Sequence, residues 1–429
     1  MNFDDTPQEA AFRVQAKAWI AANAPKQYED ELRNSSLGRL VLSGANVLDV
    51  AKAWQKKKAD AGWACLHWPR EYGGRGASPI ERVIWQQEEG PFGKLSGIFI
   101  IGHGMCGPTM MAYASEDHKR KYLPPLASGE KVWCQLFSEP AGGSDVAGLR
   151  TRAERDGDDW IINGRKWFTS NASIADFLIV MAVTNPDASP YRGASMFIVP
   201  VDTPGVEIVR DVGTMEHPDT VFGRYGNHGE VVYTNVRVPM SHLIGDEGDG
   251  FTLAQKRLGP GRIHHAMRWL GQAQRAFEML CERAVSRSAH GSVLAEKQTV
   301  QNWIADSAAE ITQARLLTLY AAWKMDHEGA SAARPEIAMV KYSGAKVLHD
   351  VIDRAIQVHG ALGFSTDMPL ERMYRRARAA RILDGPDEVH RMTVARSVLR
   401  DYAPRLVPSE HIPTRLARME GKKSAAELR

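Results

Sequence analysis

Cysteine is scarce. Four residues, Cys65, Cys106, Cys134 and Cys281, are scattered through 429, and none forms a Cys-x-x-Cys pair. That spacing argues against a disulfide framework or a thiolate metal site and leaves buried, reduced thiols in a cytosolic protein. Long apolar runs are missing too: none approaches the ~20 residues that span a bilayer. The N-terminus, residues 1–7, is acidic and lacks an apolar signal core, so the expectation is a soluble cytoplasmic protein with no stable membrane insertion. Nor does one charge dominate: 54 Lys and Arg face 51 Asp and Glu, a net +3, mixed along the chain. This balance argues against a general binder of nucleic acid or acidic surfaces. Internal repeats and low-complexity segments are absent. What is present is enough chain for two or three domains and a large core.

The first third has helical periodicity, in Phe12, Ala16, Trp19 and Ile20, in Val47, Val50, Ala51 and Trp54, and in Ile80, Val83 and Ile84. Residues 98–114 are small and apolar, as in a helix buried on all sides. Residues 115–121 predict a short capped helix that ends before Pro124. From Lys131 to about Gly245 the period changes to two. Residues 160–169 predict a hairpin turning at Asn163-Gly164, a favoured two-residue turn. Residues 177–183, 194–199 and 231–238 predict further strands, while 204–229 reads as irregular. Frequent turns suggest a small β-barrel or sandwich. Beyond Gly245, long apolar-striped helices predict a bundle. They cover 253–286, broken at Gly259-Pro260-Gly261, then 296–325, 337–360, 369–381 and about 386–401. The resulting division is a helical domain at 1–130, a β domain at 131–245, a helical bundle at 246–403 and a Pro-containing, charged tail at 404–429.

The most informative stretch is 134–148, Cys-Gln-Leu-Phe-Ser-Glu-Pro-Ala-Gly-Gly-Ser-Asp-Val-Ala-Gly. Its start alternates like a buried strand, with Trp133, Gln135 and Phe137 on one face. It then breaks at Pro140, Ala141, Gly142 and Gly143, where backbone can approach a ligand with no side chain intervening. Ser138, Ser144 and exposed amides suit a flavin ring edge or a phosphate, though Gly-Gly-Ser-Asp alone is an ordinary turn. Read whole, the stretch resembles the first signature of the acyl-CoA dehydrogenase family: a Thr or Ser, Glu-Pro, two or three small residues, and Ser-Asp. Glu139, Pro140, Gly143, Ser144, Asp145 and Gly148 match, and Ala141-Gly142 reverses the commoner order. Residues 357–367, Gln-Val-His-Gly-Ala-Leu-Gly-Phe-Ser-Thr-Asp, followed by Glu371, Arg375 and Arg376, resemble the second signature. By themselves Gly360 and Gly363 mark a helix end between two bundle helices. The basic run Arg372, Arg375, Arg376, Arg378 and Arg381 reads as a solvated or interface face, not a nucleic-acid patch. Residues 119–130 are also close to a family phrase, and the likeness extends over about 10–402. It implies an α+β fold of the acyl-CoA dehydrogenase type: an N-terminal helical domain, a central β-barrel or sandwich and a C-terminal four-helix bundle.

The resemblance also implies bound FAD. Gln135, Phe137, Ser138, Gly143 and Ser144 would border it. Trp167-Phe168-Thr169 resembles a family phrase in which the indole packs on the flavin and the Thr bonds its ring edge. An indole beside a polar β-branched residue suits a flat ring, and equally a core Trp in a hairpin. Gln357, His359 and Gly360 would lie beside the FAD diphosphate of a neighbouring subunit. Arg287, Gly291 and Gln298 sit where the family has a loop reaching the same cofactor, with Ala289 and His290 departing from its usual Thr-Phe. Pro386 and Glu388 replace an FAD-contacting Thr and Gln.

The family's base, which removes the acyl α-proton, is commonly a Glu in Tyr-Glu-Gly-Thr. Here the phrase is Leu383-Asp384-Gly385-Pro386, so Asp384 takes the position, one methylene shorter. A carboxylate serves as this base where desolvation raises its proton affinity. Asp384 equally fits a helix N-cap before Gly385 and Pro386. Asp387 and Glu388 are alternates that also suit a first helical turn. Some members place the base one residue before a substrate-binding Arg, but the residue before Arg262 is Gly261. Arg262 would orient the thioester or pantetheine, or stay a surface residue, and Ser144 and Gly385 would also contact substrate. His264 and His265, on the same helix, read as packed, solvated or touching substrate. No metal site is expected.

Residues 259–265 together with 384–390 resemble the branch whose eukaryotic members are fused to an aminoglycoside-phosphotransferase-like kinase, a domain this chain lacks. That branch is implicated in loss of phosphate from phosphorylated 4-hydroxyacyl-CoA. The leading expectation is FAD-dependent dehydrogenation of an acyl-CoA to the 2,3-enoyl-CoA, as in fatty-acid β-oxidation. Electrons would pass to an electron-transfer flavoprotein, and the enzyme would be a homo-oligomer, a tetramer built from dimers. Rival readings are redox-neutral phosphate elimination on the same scaffold, a nitroalkane oxidase-like flavin oxidase, and a non-catalytic acyl-CoA-binding scaffold.

Overall fold

Tryptophans organise the N-terminal helices. The computed structural model describes residues 5–34, 40–145, 148–400 and 402; the expected tail at 404–429 lies outside the described residues. Helix α1 (Pro7–Asn23) opens on a capping box between Thr6 and Glu9, and α2 (Glu29–Asn34) follows. Asn46 caps α3 (Val47–Asp60), and a second capping box, Ser78 with Glu81, opens α4 (Pro79–Glu88). Phe12, Trp54, Trp63 and Trp85 share one core with the partly buried Trp19. Inside it the Glu89 carboxylate accepts from Trp54, Trp85, Lys58 and Ser96, so burial leaves it well satisfied.

Residues 98–114 are not one helix. After α5 (Gly93–Ser96), a 3₁₀ turn (Gly97–Phe99) and a π-helical turn (Gly102–Cys106) precede α6 (Gly107–Tyr113). The glycines serve close packing: a Cβ on Gly107 would lie 2.1 Å from the Trp68 ring, and one on Gly102 2.7 Å from Leu126. Helix α7 (Glu116–Ala127) is capped by Ser115 as expected, but it runs through Pro124 and Pro125 instead of stopping. The prolines deprive only the carbonyls of Arg120 and Lys121, both exposed residues, where water substitutes.

The sheet comprises β1 (Trp133–Leu136), β2 (Arg152–Asp156), β3 (Asp159–Ser170), β4 (Phe177–Val183), β5 (Ala194–Pro200), β6 (Val206–Val212), β7 (His228–Pro239) and β8 (Leu243–Ile244). Its order is β6-β7-β3-β2-β4-β5-β8, with β1 parallel to β4. A single residue pair, Arg152 with Val183, joins β2 to β4. The sheet folds over there, and its halves enclose Trp160, Ile162, Phe197, Val199, Val231 and Tyr233 as in a sandwich. The hairpin turns at Gly157-Asp158 and not at Asn163-Gly164, through which β3 passes. Gly164 is required there because a Cβ would lie 2.5 Å from Thr151 Oγ1. The segment read as irregular holds β6.

Helix α8 (Gly250–Ser286) is unbroken through residues 259–261. A small hairpin, β9 (Ser288–Ala289) and β10 (Ser292–Val293), leads to α9 (Gln298–Glu328) and α10 (Arg334–His359). Then come α11 (Ala361–Phe364), α12 (Leu370–Ala380) and α13 (Asp387–Arg400). The bundle has its own core, centred on α8 and α10. The start of α8 is locked to the sheet. Gly248 N donates to Ser195 Oγ at 2.9 Å, and a Cβ on Gly250 would meet Ala194 O at 2.8 Å. Leu253 and Ala254 join the core shared by α6, α7, β4 and β5. Among the described residues no single helix is long and apolar enough to cross a membrane.

Candidate active site

A buried ion pair ties the loop after β1 to strand β3. The Lys166 and Glu139 side chains are 0% and 5% exposed, and Lys166 Nζ donates to Glu139 Oε1 at 2.8 Å and to Phe137 O at 3.1 Å. Glu139 also accepts from the amides of Arg150 at 2.7 Å and Thr151 at 3.0 Å. Burial pushes the Lys166 ammonium down to about 8, with Glu139 opposing. Burial would raise Glu139, but the Lys166 charge and the hydrogen bonds outweigh it and hold the carboxyl below its ordinary range. Trp167 N adds a bond to Ser138 O at 2.9 Å. Glu139 and Gly142 exchange two backbone bonds, which closes the Pro140-Ala141 turn and leaves Gly143 and Ser144 exposed on its rim.

Beside this tether the β3–β7 register slips between Lys166 and Thr169, and Phe168 takes φ 58°. An aromatic residue in the left-handed region costs on the order of 1–3 kcal/mol and is held only by its surroundings. The slip turns Phe168 outward and Thr169 inward. Among the described residues Thr169 Oγ1 is buried without a partner, and so is Gln135 Oε1, whose Nε2 faces Met105 Sδ at 3.1 Å. Both orphaned groups belong to the segments that the Lys166–Glu139 pair joins, and Trp167 lies between them in sequence. Buried polar atoms with no partner beside an indole fit the polar edge of a flat heterocycle, so these residues fit a flavin.

Asp384 lies between α12 and α13 at φ 53°, and Gly385 follows at φ 96°. Two donors hold the Asp384 carbonyl: Arg262 Nε at 3.2 Å and His390 Nε2 at 3.1 Å. A Cβ on Gly385 would sit 2.9 Å from that same His390 nitrogen. The Asp384 carboxylate faces α8, where His265 Nε2 is 3.0 Å from Oδ2. His265 Nδ1 in turn is 2.7 Å from Arg268 Nη2. Below, the buried Asp387 anchors the loop, accepting from Arg381 Nε at 2.7 Å, with Lys341 Nζ 3.8 Å from its other oxygen. Since α13 starts at Asp387, the Asp384 carboxylate is not its N-cap. Asp387 and Glu388 both stand in the first turn of α13, Asp387 as a buried anchor and Glu388 exposed.

The electrostatics reverse one expectation. Burial would raise Asp384, but the His265 hydrogen bond and the Arg262 and Lys341 charges outweigh it and hold the carboxyl below its ordinary range. Burial pushes Lys341 down to about 8 against the pull of Asp387 and Asp384, and His390 down to about 4. Across the cleft His67, Arg82 and His264 lie in mutual electrostatic reach, and burial pushes both histidines to about 4 and lowers Arg82. His264 and Arg268 are reached by solvent yet their surroundings lower their proton affinity, as expected of residues that line a cleft.

The remaining candidates lie elsewhere in the bundle. Arg287 and Gln298 are exposed and flank the β9–β10 hairpin, with Gln298 Nε2 bonded locally to Asn302 Oδ1 at 3.0 Å. Gly360 ends α10 at φ 64°. His359 lines a groove of about 430 Å³ with Arg275, Arg283 and Ser286, in which Arg283 Nε is buried and has no partner among the described residues. Gln357 lines a different cavity, of about 410 Å³, with Trp303, Asp350, Asp353 and Arg354. Gln357 and His359 thus line separate cavities. Pro386 forms the approach to α13, its carbonyl accepting from Val389 N at 3.1 Å. Lys166, Arg268 and Lys341 went unread in the sequence, and His390 was read only as the end of the 384–390 phrase. Only Arg268 had a local signal, falling one turn after His265 and two after Arg262. Among the described residues no three His, Cys, Asp or Glu side chains are grouped to hold a metal ion.

The chain thus joins N-terminal helices, a folded mixed sheet and a long-helix bundle, with a polar cradle on the sheet and a carboxylate on the bundle. Models of the acyl-CoA dehydrogenase N-terminal, middle and C-terminal domains match residues 41–130, 134–225 and 248–399, and the chain belongs to the acyl-CoA dehydrogenase family. It is 49% identical to probable acyl-CoA dehydrogenase FadE2 of Mycobacterium tuberculosis over 67% of this chain and 70% of that protein. Acyl-CoA dehydrogenase family member 11 of Rattus norvegicus is 43% identical over 68% of this chain, which spans only 38% of that longer protein. The structure of butyryl-CoA dehydrogenase from Megasphaera elsdenii superposes with a TM-score of 0.73 at 26% identity, over 93% of this chain and 100% of that one.

Proposed function

We propose that the enzyme dehydrogenates an acyl-CoA thioester to the 2,3-enoyl-CoA, with Asp384 as the base. The observation that carries this reading is the Asp384 carboxylate itself, on the loop before α13 with its Oδ2 3.0 Å from His265 Nε2 of α8. The cradle of Gln135, Phe137, Ser138, Gly143, Ser144 and Trp167 to Thr169 would hold FAD, which when bound supplies the acceptor for the β-hydride. Arg262 braces the base from α8 and, with Ser144 and Gly385, borders the path of the thioester. Asp384→Asn tests the assignment: it should keep folding, FAD content and acyl-CoA affinity while slowing α-proton exchange and flavin reduction by ~10²–10⁴-fold. Flavin reduction at the wild-type rate would refute it. Asp384→Glu, longer by one methylene in a pocket built for Asp, should be partly active.

The enzyme works in the cytoplasm as a homo-oligomer, a tetramer built from two dimers, and passes electrons to an electron-transfer flavoprotein. Support for assembly comes from Leu316, Leu319, Tyr320 and Trp323, a stripe on α9 that is 37–50% exposed, and from Phe364 at 82%. The groove of His359, Arg275 and Arg283 would receive the diphosphate of a neighbour's FAD. A solution mass of one chain for active enzyme would contradict this. A second reading, redox-neutral loss of phosphate from a 4-phosphorylated acyl-CoA, draws support from Arg82 beside His67 and His264, since no carboxylate neutralises Arg82 among the described residues. Phosphate release with the flavin remaining oxidised would identify that activity; flavin reduction without phosphate release would exclude it.

A further inference from the structure

We propose that His265 is the positioning residue of the Asp384 carboxylate and that Arg268 sets its tautomer. The inference rests on Asp384 as the base. A guanidinium only donates, so the 2.7 Å contact from Arg268 Nη2 requires His265 Nδ1 to accept. The ring proton therefore sits on Nε2, which donates to Asp384 Oδ2 at 3.0 Å. His265 is a neutral imidazole fixed at both ends, with its ring also tilted against Trp269 at a centroid distance of 5.6 Å. Both fixing residues belong to α8, a rigid element, whereas the base sits on a loop. Among the described residues Oδ1 receives no hydrogen bond, which leaves it as the oxygen available for the α-proton.

The Asp384 carbonyl and carboxylate are held by separate groups. Arg262 and His390 fix the left-handed backbone, and His265 fixes the side chain. With both ends restrained, a carboxylate one methylene shorter than Glu is kept in a single direction, the condition under which orientation contributes to rate. A donor to the charged form also favours ionisation.

The test uses the FAD-loaded enzyme. His265→Leu keeps bulk but removes donor and acceptor. His265→Gln keeps both, because an amide offers an oxygen and an N–H at nearly the imidazole spacing. The Leu variant should bind FAD and acyl-CoA with KM within ~3-fold of wild type and lose about 10²-fold in the rate of flavin reduction. The Gln variant should recover to within ~10-fold. In protein labelled with ¹⁵N-histidine, the signals lost in His265→Gln should report an unprotonated Nδ1 and a protonated Nε2 near neutral pH. This readout also serves if the Leu variant fails to fold. A wild-type rate in His265→Leu, a Gln variant no better than Leu, or the opposite tautomer overturns the proposal. Asp384→Asn separates the two layers: a wild-type rate there removes the base assignment, whereas a dead Asn variant beside an active Leu variant removes only His265.

Discussion

Lys166→Met removes the cation of the buried pair that joins the β1 loop to β3 while preserving most of the stem's volume. The carboxylate left behind is 5% exposed and, among the described residues, keeps the amides of Arg150 and Thr151 as donors but no cation. Losing one partner of a buried pair costs about 3–5 kcal/mol, because the remaining charge stays desolvated. The bond to Phe137 O disappears with it, inside the same range. A chain of three structural units does not unfold in one step, so a global free energy is the wrong readout. The temperature at which the holoenzyme releases flavin is the right one, since the tether adjoins Gln135 and Trp167 to Thr169. At roughly 2–4 °C per kcal/mol, the release midpoint should fall by about 10 °C. Adding Glu139→Gln removes the stranded charge, and the double variant should regain at least half of that loss. A Lys166→Met enzyme releasing flavin within about 2 °C of wild type, or a double variant no better than the single, would refute the argument.

Gly385→Ala places a methyl 2.9 Å from His390 Nε2 at a φ of 96°, so the Asp384 loop must shift. Flavin reduction should slow by ~10²-fold with the thermal midpoint of the bundle nearly unchanged, and a wild-type rate would count against the clamp. For pH, burial pushes His67, His103, His264 and His390 to about 4 in the folded chain. As pH falls below the ordinary histidine value of about 6.5, the unfolded chain binds these protons first, so stability is full above that value and declines toward pH 4. His390, at 4% exposure, alone contributes up to about 3 kcal/mol of this decline. His390→Gln should show a shallower loss of midpoint between pH 7 and 5 than wild type.

Hydrophobic patterning made most elements legible, because β4 and β5 are continuous apolar runs buried on both faces and the bundle helices carry apolar stripes. The failures cluster at residues whose local chemistry signals a break. Asn163-Gly164 is a strong turn pair, yet β7 pairs with β3 on both sides of it, and Gly164 is needed for its approach to Thr151. Gly259-Pro260-Gly261 and Pro124-Pro125 likewise sit inside helices that tertiary packing carries through. Local propensity costs ~1–3 kcal/mol per breaker, which a long packed helix can absorb.

The site divides along the same line. Its contiguous parts, residues 134–148 and 167–169, stood out through resemblance, because locally they read equally as an ordinary turn and a core Trp in a hairpin. The direction of the Asp384 shift was not legible, because it is set by residues far away in the chain; Arg262 lies 122 positions earlier. What makes those distant parts one site is α8. Its start is seated on β5 through Gly248 and Gly250, and the same unbroken helix carries Arg262, His265 and Arg268 to the base. A kink at 259–261, which the local sequence invites, would swing those three side chains relative to the sheet. On the proposed function, that continuity would keep the cradle on the sheet and the carboxylate on the bundle at a fixed separation.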